Sequence, residues 1–267
     1  MKDPLAPIGV FDSGIGGLTV VRELIRQLPH ESIIYFGDTA RVPYGPKSPE
    51  TVLRYSREIV EWLKAEGVKT LVVACNTATA HALPTLQTEN KMPVIGVIGP
   101  GSRAAARATR SHNVGVIGTY GTINSKAYER AIKRALPEAR IIAQACPLFV
   151  PLAEEGWLDT EPTRLIAKEY LAPLTDGAVD TLVLGCTHYP LLKTVIGGVV
   201  GRDVRLIDSA EETAAETARI LRAEGLANDT DSAEYRFIAS DAPEQFLRVG
   251  QRFLGSSINR VETVTLG

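Results

Sequence analysis

The stretch Leu71-Val72-Val73-Ala74-Cys75-Asn76-Thr77 decides the fold, because a closely similar stretch follows later in the chain. Residues 182–188 read Leu-Val-Leu-Gly-Cys-Thr-His and place Cys186 where Cys75 stands, 111 positions further on. Each copy has a short apolar run, a small residue, a cysteine and polar residues that lead into a helical pattern. Such a run is typical of a buried parallel strand. Each copy therefore predicts a strand that ends in a thiol, at the sheet edge where open α/β folds bind ligands.

The similarity between the two halves extends over four strand-like segments. Gly9, Ile33, Cys75 and Val94 correspond in this order to Gly115, Ile141, Cys186 and Val204, at offsets between 106 and 111. Helical patterns separate the strands, and this alternation predicts parallel βαβ units with right-handed crossovers. We therefore predict an α/β protein built from two related lobes.

The first lobe is predicted to comprise residues 1–98 and 209–267, and the second lobe residues 99–208. Between the lobes we expect a crossing point at Pro100-Gly101, followed by a helix over 102–111. The tail, with strands near 235–239 and 261–266, is predicted to return to the first lobe. The other strands are predicted at 8–11, 32–36, 68–74, 94–98, 114–118, 140–145, 180–185 and 203–207, and further helices include one over 124–135 and one over 189–200.

Composition excludes several classes of function. The 267 residues carry a net charge of −2 and no run of five like charges, so we expect neither a nucleic-acid nor a membrane partner. The uncharged stretches 92–102 and 141–153 are shorter than the roughly 18 residues of a membrane span. Three cysteines do not suit a disulfide scaffold, and the first seven residues lack the apolar core of a signal peptide. We therefore expect a cytoplasmic protein.

The two repeated cysteines are candidate catalytic groups. A thiolate becomes accessible near neutral pH at a helix start or beside a base, and both cysteines follow a strand and precede a helical pattern. The repeat places Asp12 and His188 close by, so each thiol could have its own proton partner, Asp12 for Cys75 and His188 for Cys186. The alternative is that the cysteines are small buried apolar residues, which we expect of Cys146.

Three other uses of these motifs are less well supported. The cluster Gly14-Ile15-Gly16-Gly17 lacks the pattern of a dinucleotide or phosphate loop, but its backbone N–H groups suit a carboxylate. A zinc site would need ligand spacings that Cys186-Thr187-His188 does not provide. A redox switch between Cys75 and Cys186 lacks a resolving motif.

Four motifs together resemble the glutamate racemases of the cofactor-independent aspartate/glutamate racemase superfamily. They are Phe11-Asp12-Ser13-Gly14-Ile15-Gly16-Gly17, Pro43-Tyr44-Gly45, Ala74-Cys75-Asn76-Thr77-Ala78-Thr79 and Gly185-Cys186-Thr187-His188-Tyr189-Pro190. The histidine at 188 favours glutamate over aspartate, since the related aspartate racemases usually carry a glutamate there. The resemblance implies two pseudo-twofold-related, flavodoxin-like parallel α/β lobes with the active site in the cleft between them.

The resemblance also implies roles for individual residues. Cys75 and Cys186 would be the two catalytic bases, assisted by Asp12 and His188. Glu154 matches a further assisting acid, although Glu155 adjoins it. The implied substrate contacts are Asp12, Ser13, Tyr44, Gly45, Asn76, Thr77, Thr187 and His188. The family uses no cofactor or metal, and it implies a homodimer that supplies D-glutamate for peptidoglycan.

The mechanism that follows inverts the α-carbon of glutamate between the two sulfur atoms. One thiolate removes the α-proton while the opposing thiol protonates the other face, and by the resemblance Cys75 acts on the D-isomer and Cys186 on the L-isomer. The alternatives are another enzyme of the superfamily, such as an aspartate or hydantoin racemase or a decarboxylase. From another class, a two-lobed amino-acid-binding protein would not need the paired cysteines.

Overall fold

The computed structural model describes residues 3–230 and 232–266, and two parallel sheets flanked by helices form its framework. The strands are β1 Ile8–Asp12, β2 Ile33–Gly37, β3 Thr70–Val73, β4 Val94–Gly96, β5 Asn113–Gly118, β6 Arg140–Ala145, β7 Thr181–Gly185, β8 Arg205–Asp208, β9 Tyr235–Ala239 and β10 Glu262–Thr263. The helices are α1 Leu18–Gln27, α2 Pro49–Ala65, α3 Asn76–Glu89, α4 Ile98–Ala108, α5 Tyr120–Asn124, α6 Ala127–Ala135, α7 Phe149–Glu154, α8 Glu161–Asp176, α9 Lys193–Val200, α10 Ser209–Ala223 and α11 Pro243–Leu254.

Both sheets repeat one strand order. The first has the order β10-β9-β2-β1-β3-β4 and the second the order β6-β5-β7-β8. In each sheet the first strand of the half lies between the second and the third, as in flavodoxin-like folds. All pairs are parallel, with Ile8 opposite Ile33 and Thr70, and Val114 opposite Ile141 and Thr181. The predicted α/β class with two related parallel sheets is confirmed.

The apolar strands are buried because helices cover both faces of each sheet. A shared core between the sheets joins β1, β2 and α1 to α4, β5 and α10, with Val10 and Val116 among its buried side chains. A second core lies under α2 and α3, and a third lies under α7, α8 and α9. The shared core fixes how the two sheets face each other, and so it also fixes the distance between their edges.

The tail completes the first sheet, as predicted. β9 pairs with β2 over its whole length, with Tyr235 opposite Ile33, and β10 pairs with β9. The predicted last strand over 261–266 is shorter than expected, since β10 covers Glu262–Thr263. Helix α10 begins at Ser209 and α4 begins at Ile98. The predicted division into residues 1–98 with 209–267 and residues 99–208 stays a prediction.

Two predicted helices have different bounds in the structure. Helix α4 begins at Ile98 rather than 102, because Pro100 falls in the first helical turn, where a missing N–H costs nothing. The predicted crossing point Pro100-Gly101 therefore lies within a helix. The predicted helix 124–135 is divided into α5 and α6, since Lys126 takes a left-handed conformation with φ of 53°.

Candidate active site

The carboxyl edges of the two sheets face each other across a narrow cavity of about 50 Å³. Cys75 reaches it from the end of β3 in the first sheet, and Cys186 from the end of β7 in the second. All eleven site residues that the sequence indicated line this cavity, although their roles stay predictions. Gly14 and Pro43, which belong to the sequence motifs, also line it, together with Val42, Thr119 and Val150.

Cys75 caps the start of α3. Its sulfur accepts the Ala78 N–H at 3.4 Å, and its thiol donates to Ser13 Oγ at 3.6 Å. The expectation that a helix start makes this thiolate accessible near neutral pH is wrong for Cys75 in this structure. Burial raises the pKa of the Cys75 thiol, the Asp12 charge raises it further, and together they bring it to about 12 despite the hydrogen bonds. Cys75 is therefore a protonated thiol at neutral pH.

Cys186 has an imidazole beside it. Its Sγ lies 3.8 Å from His188 Nδ1, and His188 Nε2 lies 2.9 Å from Glu154 Oε1. The acid that contacts His188 is thus Glu154, at the end of α7, rather than its neighbour Glu155. A 3₁₀ turn over Tyr189–Leu192 follows, and α9 begins only at Lys193, later than the predicted helix over 189–200. Because no α-helix starts directly after Cys186, the group that acts on its sulfur is the His188 imidazole rather than a helix N-terminus.

His188 carries a positive charge at neutral pH. Burial lowers its pKa, but the hydrogen bonds to Cys186 and Glu154 and the charges of both groups outweigh burial and raise the pKa to about 10. The Phe253 ring, from α11, meets the imidazole edge-on with 5.8 Å between ring centroids. A positive charge therefore lies within 3.8 Å of the Cys186 sulfur.

Asp12 connects the two sheets. Its carboxylate accepts the Gly14 N–H at 2.8 Å and the Thr187 hydroxyl at 3.4 Å. Thr19 Oγ1 adds a second connection by donating to the Thr187 carbonyl at 3.0 Å. Burial raises the pKa of Asp12 above its usual value, although the nearby His188 charge opposes this. Asp12 therefore acts on Cys75 through its charge, and its hydrogen bonds hold Thr187 beside Cys186.

The glycine cluster allows the two sheet edges to approach closely. A Cβ atom on Gly16 would lie 2.3 Å from Thr187 Oγ1 and 2.5 Å from His188 Nδ1, well inside van der Waals contact. Gly16 therefore lies at the contact between the loop that follows β1 and His188, which follows β7. The sequence suggested anion binding for this loop, and close packing is a second reason for glycine.

The Pro43-Tyr44-Gly45 loop is held by a buried acid that the sequence did not indicate. Asp38 accepts hydrogen bonds from the Tyr44 hydroxyl, from Ser240 Oγ at 2.9 Å and from Arg41 Nε at 2.8 Å. Because the Tyr44 hydroxyl donates its proton to Asp38, Tyr44 offers the cavity mainly its ring and backbone. Asp38 fixes this wall of the cavity.

Asn76 lines the cavity and carries a buried donor with no partner among the described residues. Its side chain is buried, its Oδ1 accepts a hydrogen bond from Tyr128 at 2.7 Å, and its Nδ2 has no partner among the described residues. Next to it, Thr77 Oγ1 lies 3.0 Å from Thr119 Oγ1 across the cleft. A buried N–H without a partner costs about 1–3 kcal/mol, which a ligand carboxylate would recover.

The charge of His188 predicts a stability effect that depends on pH. The pKa of His188 in the folded protein, about 10, exceeds the usual histidine value of 6.5. The contribution of His188 to stability is therefore complete below pH 6.5 and is lost as the pH rises to about 10. His188→Asn should therefore lower the free energy of unfolding more at pH 6 than at pH 10, as measured by urea denaturation.

His81 provides the matched control for this measurement. Burial lowers the pKa of His81, so His81→Asn should show the opposite trend, with its smaller loss at pH 6. An equal loss for His188→Asn at both pH values would contradict the assigned imidazolium.

The described residues also form another cavity, away from the two cysteines. A larger cavity, of about 350 Å³, lies at the opposite edge of the first sheet, beside Val68 and Pro93, which precede β3 and β4. Within residues 3–230 and 232–266, no group of three or more histidine, cysteine or acidic side chains could hold a metal ion. None of the helices in this described part is both long and apolar enough to cross a bilayer.

Comparisons with known proteins agree with this geometry. The Asp/Glu/Hydantoin racemase family model matches residues 8–217. The chain is 58% identical to a glutamate racemase of Geobacter metallireducens over 98% of both chains. It is also similar to two crystal structures of glutamate racemases. The structure from Bacillus anthracis has 45% sequence identity and a TM-score of 0.93, over 98% of this chain and 97% of that one. The structure from Francisella tularensis, in complex with D-glutamate, has 41% sequence identity and a TM-score of 0.92, over 98% of each chain. The chain belongs to the Asp/Glu/hydantoin racemase family.

Proposed function

We propose that this protein interconverts L- and D-glutamate, with Cys75 and Cys186 as the two groups that exchange protons with the α-carbon. The observation that carries the proposal is the placement of two free thiols, from different sheets, in the wall of one narrow cavity. A planar carbanion between them can be protonated from either face. The glutamate complex of the relative from Francisella tularensis supports glutamate as the ligand.

The reaction needs one sulfur that starts as a thiolate and one that starts as a thiol, and the surroundings of the two cysteines differ. Cys75 is a thiol because of burial and the Asp12 charge, and Cys186 lies 3.8 Å from the imidazolium of His188. The Cys186 thiolate takes the α-proton of L-glutamate while Cys75 delivers its proton to the other face. In the reverse direction the Cys75 thiolate takes the proton of D-glutamate and the Cys186 thiol delivers one. General acid–base groups of this kind contribute about 10²- to 10⁴-fold each.

Neutral donors hold the substrate carboxylates. Asn76 Nδ2 has no partner within residues 3–230 and 232–266, and Ser13, Thr77 and Thr187, which carry hydroxyls, line the same cavity. The N-terminus of α3, directly after Cys75, adds the positive end of a helix dipole. Donors arranged in advance stabilise the charge that develops on the α-carboxylate as the proton leaves. In this account Asp12, Tyr44, Gly45 and His188 complete the contacts.

The wider setting follows from the same proposal. The lobes of residues 1–98 with 209–267 and of residues 99–208 open to admit glutamate and close to exclude water. The D-glutamate product supplies peptidoglycan synthesis in the cytoplasm, and the active protein is a homodimer. Light scattering on the purified protein tests the homodimer, and a mass of about one chain would contradict it.

Circular dichroism on each glutamate enantiomer tests the reaction. Both should lose their signal at the same kcat/KM, because the equilibrium constant between enantiomers is one. In deuterium oxide the product should carry deuterium at the α-carbon. Faster turnover of aspartate or a hydantoin would assign another substrate in the family. Binding of glutamate with neither signal loss nor deuterium uptake would leave only an amino-acid-binding protein.

The Glu154 carboxylate is expected to set the alkaline limit of the reaction. In Glu154→Gln the amide keeps a hydrogen bond to His188 but loses the charge that raises the His188 pKa. The fall of kcat/KM at high pH should therefore begin about one pH unit lower than in the unmodified protein. The pH profile of glutamate racemisation measures this shift, and Glu155→Gln, at the exposed neighbour, is the matched control. Identical profiles for the two variants would remove Glu154 from the mechanism.

A further inference from the structure

Tyr128 links the two cysteine-bearing segments, and no sequence motif indicated a role for it. It lies on α6, 3% exposed. Its hydroxyl donates to Asn76 Oδ1 at 2.7 Å, next to Cys75. Its ring packs over Gly185, the residue before Cys186, where an added Cβ would lie 3.0 Å from Tyr128 Cε2. Tyr128 thus touches the neighbour of each thiol from outside the cavity.

We propose that Tyr128 is a positioning residue that fixes the orientation of the Asn76 amide, so that Nδ2 rather than Oδ1 is presented to the substrate carboxylate. This inference rests on the proposed function. A side-chain amide has a donor end and an acceptor end of nearly equal shape, and a rotation of its plane exchanges them. The Tyr128 hydroxyl has one proton to donate, and Oδ1 is its acceptor.

The Tyr128 hydroxyl is itself held in place. Ser209, the first residue of α10, lies near it, and Gly101 of α4 approaches the ring, with 3.7 Å from an added Cβ to Tyr128 Cε1. The ring therefore has contacts with α4, α10 and β7. The orientation of Asn76, which follows a strand of the first sheet, is thereby determined by packing around the second sheet.

The wrong orientation would be costly for an anionic ligand. With Oδ1 turned to the cavity, a carbonyl oxygen would face a carboxylate, and a hydrogen bond would be replaced by repulsion. Removing the Tyr128 hydroxyl makes both orientations available. We expect Tyr128→Phe to raise KM for glutamate about tenfold, as expected for one lost hydrogen bond to a charged group, with a smaller change in kcat.

A double-mutant cycle tests whether Tyr128 acts through Asn76. Tyr128→Phe, Asn76→Ala and the combined variant are compared by kcat/KM for L-glutamate. If the inference holds, Tyr128→Phe costs about tenfold alone and less than about twofold in the Asn76→Ala background. An undiminished tenfold loss in that background would overturn it, because Tyr128 would then act independently of the amide. Tyr189→Phe is the control, because it removes another buried hydroxyl, one that donates to the Cys146 carbonyl at 2.9 Å. It should lower kcat/KM by the same factor with Asn76 and with Ala at position 76.

A second variant keeps the inference testable if Tyr128→Phe does not fold. Asn76→Asp accepts the Tyr128 hydrogen bond but presents an anionic oxygen to the substrate, so it should bind D-glutamate more weakly than Asn76→Ala by calorimetry. Equal or tighter binding would overturn the inference, because the ligand would then need no donor at this position.

The same experiments separate this inference from the proposed function. If the unmodified protein racemises glutamate but the effects of the two substitutions are additive, only the role of Tyr128 is rejected. If the unmodified protein binds glutamate without racemising it, the proposed function fails. The cycle is then measured on D-glutamate binding, and it still decides whether Tyr128 orients Asn76.

Discussion

Replacing either Cys75 or Cys186 by serine is expected to lower glutamate racemisation by at least about a thousandfold. A serine hydroxyl is similar in shape to the thiol and slightly smaller, but it is far too weakly acidic to exchange a proton with the α-carbon. Because each direction needs one sulfur as base and the other as acid, both variants should lose both directions. The circular dichroism assay on L- and D-glutamate measures this loss.

Cys146 provides the control for these two variants. It is buried in the third core, and its thiol lies 3.7 Å from the Gln144 carbonyl oxygen, away from the cavity wall. Cys146→Ala should retain turnover within about threefold and lose about 1 kcal/mol of stability from the small space it leaves. Thermal unfolding should show all three variants folded. Near-normal turnover in either serine variant would contradict the two-base mechanism.

Gly16→Ala is expected to lower kcat/KM about a hundredfold, although the substituted residue has no reactive group. The new methyl would lie 2.3 Å from Thr187 Oγ1 and 2.5 Å from His188 Nδ1, so Thr187 and His188 must move. A displacement of about 1 Å in a catalytic constellation can cost this much. The imidazolium would no longer lie against Cys186, and the Asp12–Thr187 hydrogen bond would break.

Gly14→Ala is the matched comparison within the same loop. A Cβ there meets only Val42 Cγ2, at an ordinary 3.5 Å, so its loss should be several times smaller even though Gly14 lines the cavity. Steady-state kinetics with glutamate compare the two variants, and thermal unfolding separates a local displacement from a loss of fold. Equal losses would show that the close approach at Gly16 is not what the site depends on.

The sequence predicted the strands well because each is an uninterrupted apolar run. β1, β3 and β7 are buried along their whole length, and parallel sheets covered on both faces need such runs. The starts of helices were less predictable, because Pro100 can precede a helix or lie in its first turn. The break at Lys126 had no sequence signal, since lysine does not favour a left-handed backbone.

The site was predictable only in part, for a related reason. Residues at strand ends, such as Cys75 and Cys186, are placed by the parallel sheet itself, and the internal repeat made them visible. Contacts between the two sheets depend on how the shared core packs, which no local pattern encodes. The Asp12–Thr187 hydrogen bond, the Tyr128–Asn76 hydrogen bond and the packing of Phe253 on His188 belong to this class.

The central claim is that both sulfur atoms act on one α-carbon, and a crystal structure with D-glutamate bound measures this directly. The account predicts Cys75 Sγ and Cys186 Sγ on opposite faces of the α-carbon, each within about 3.5 Å, the distance of a near-attack geometry. A substrate with both sulfur atoms on the same face, or with one sulfur turned away into its own core, would contradict it.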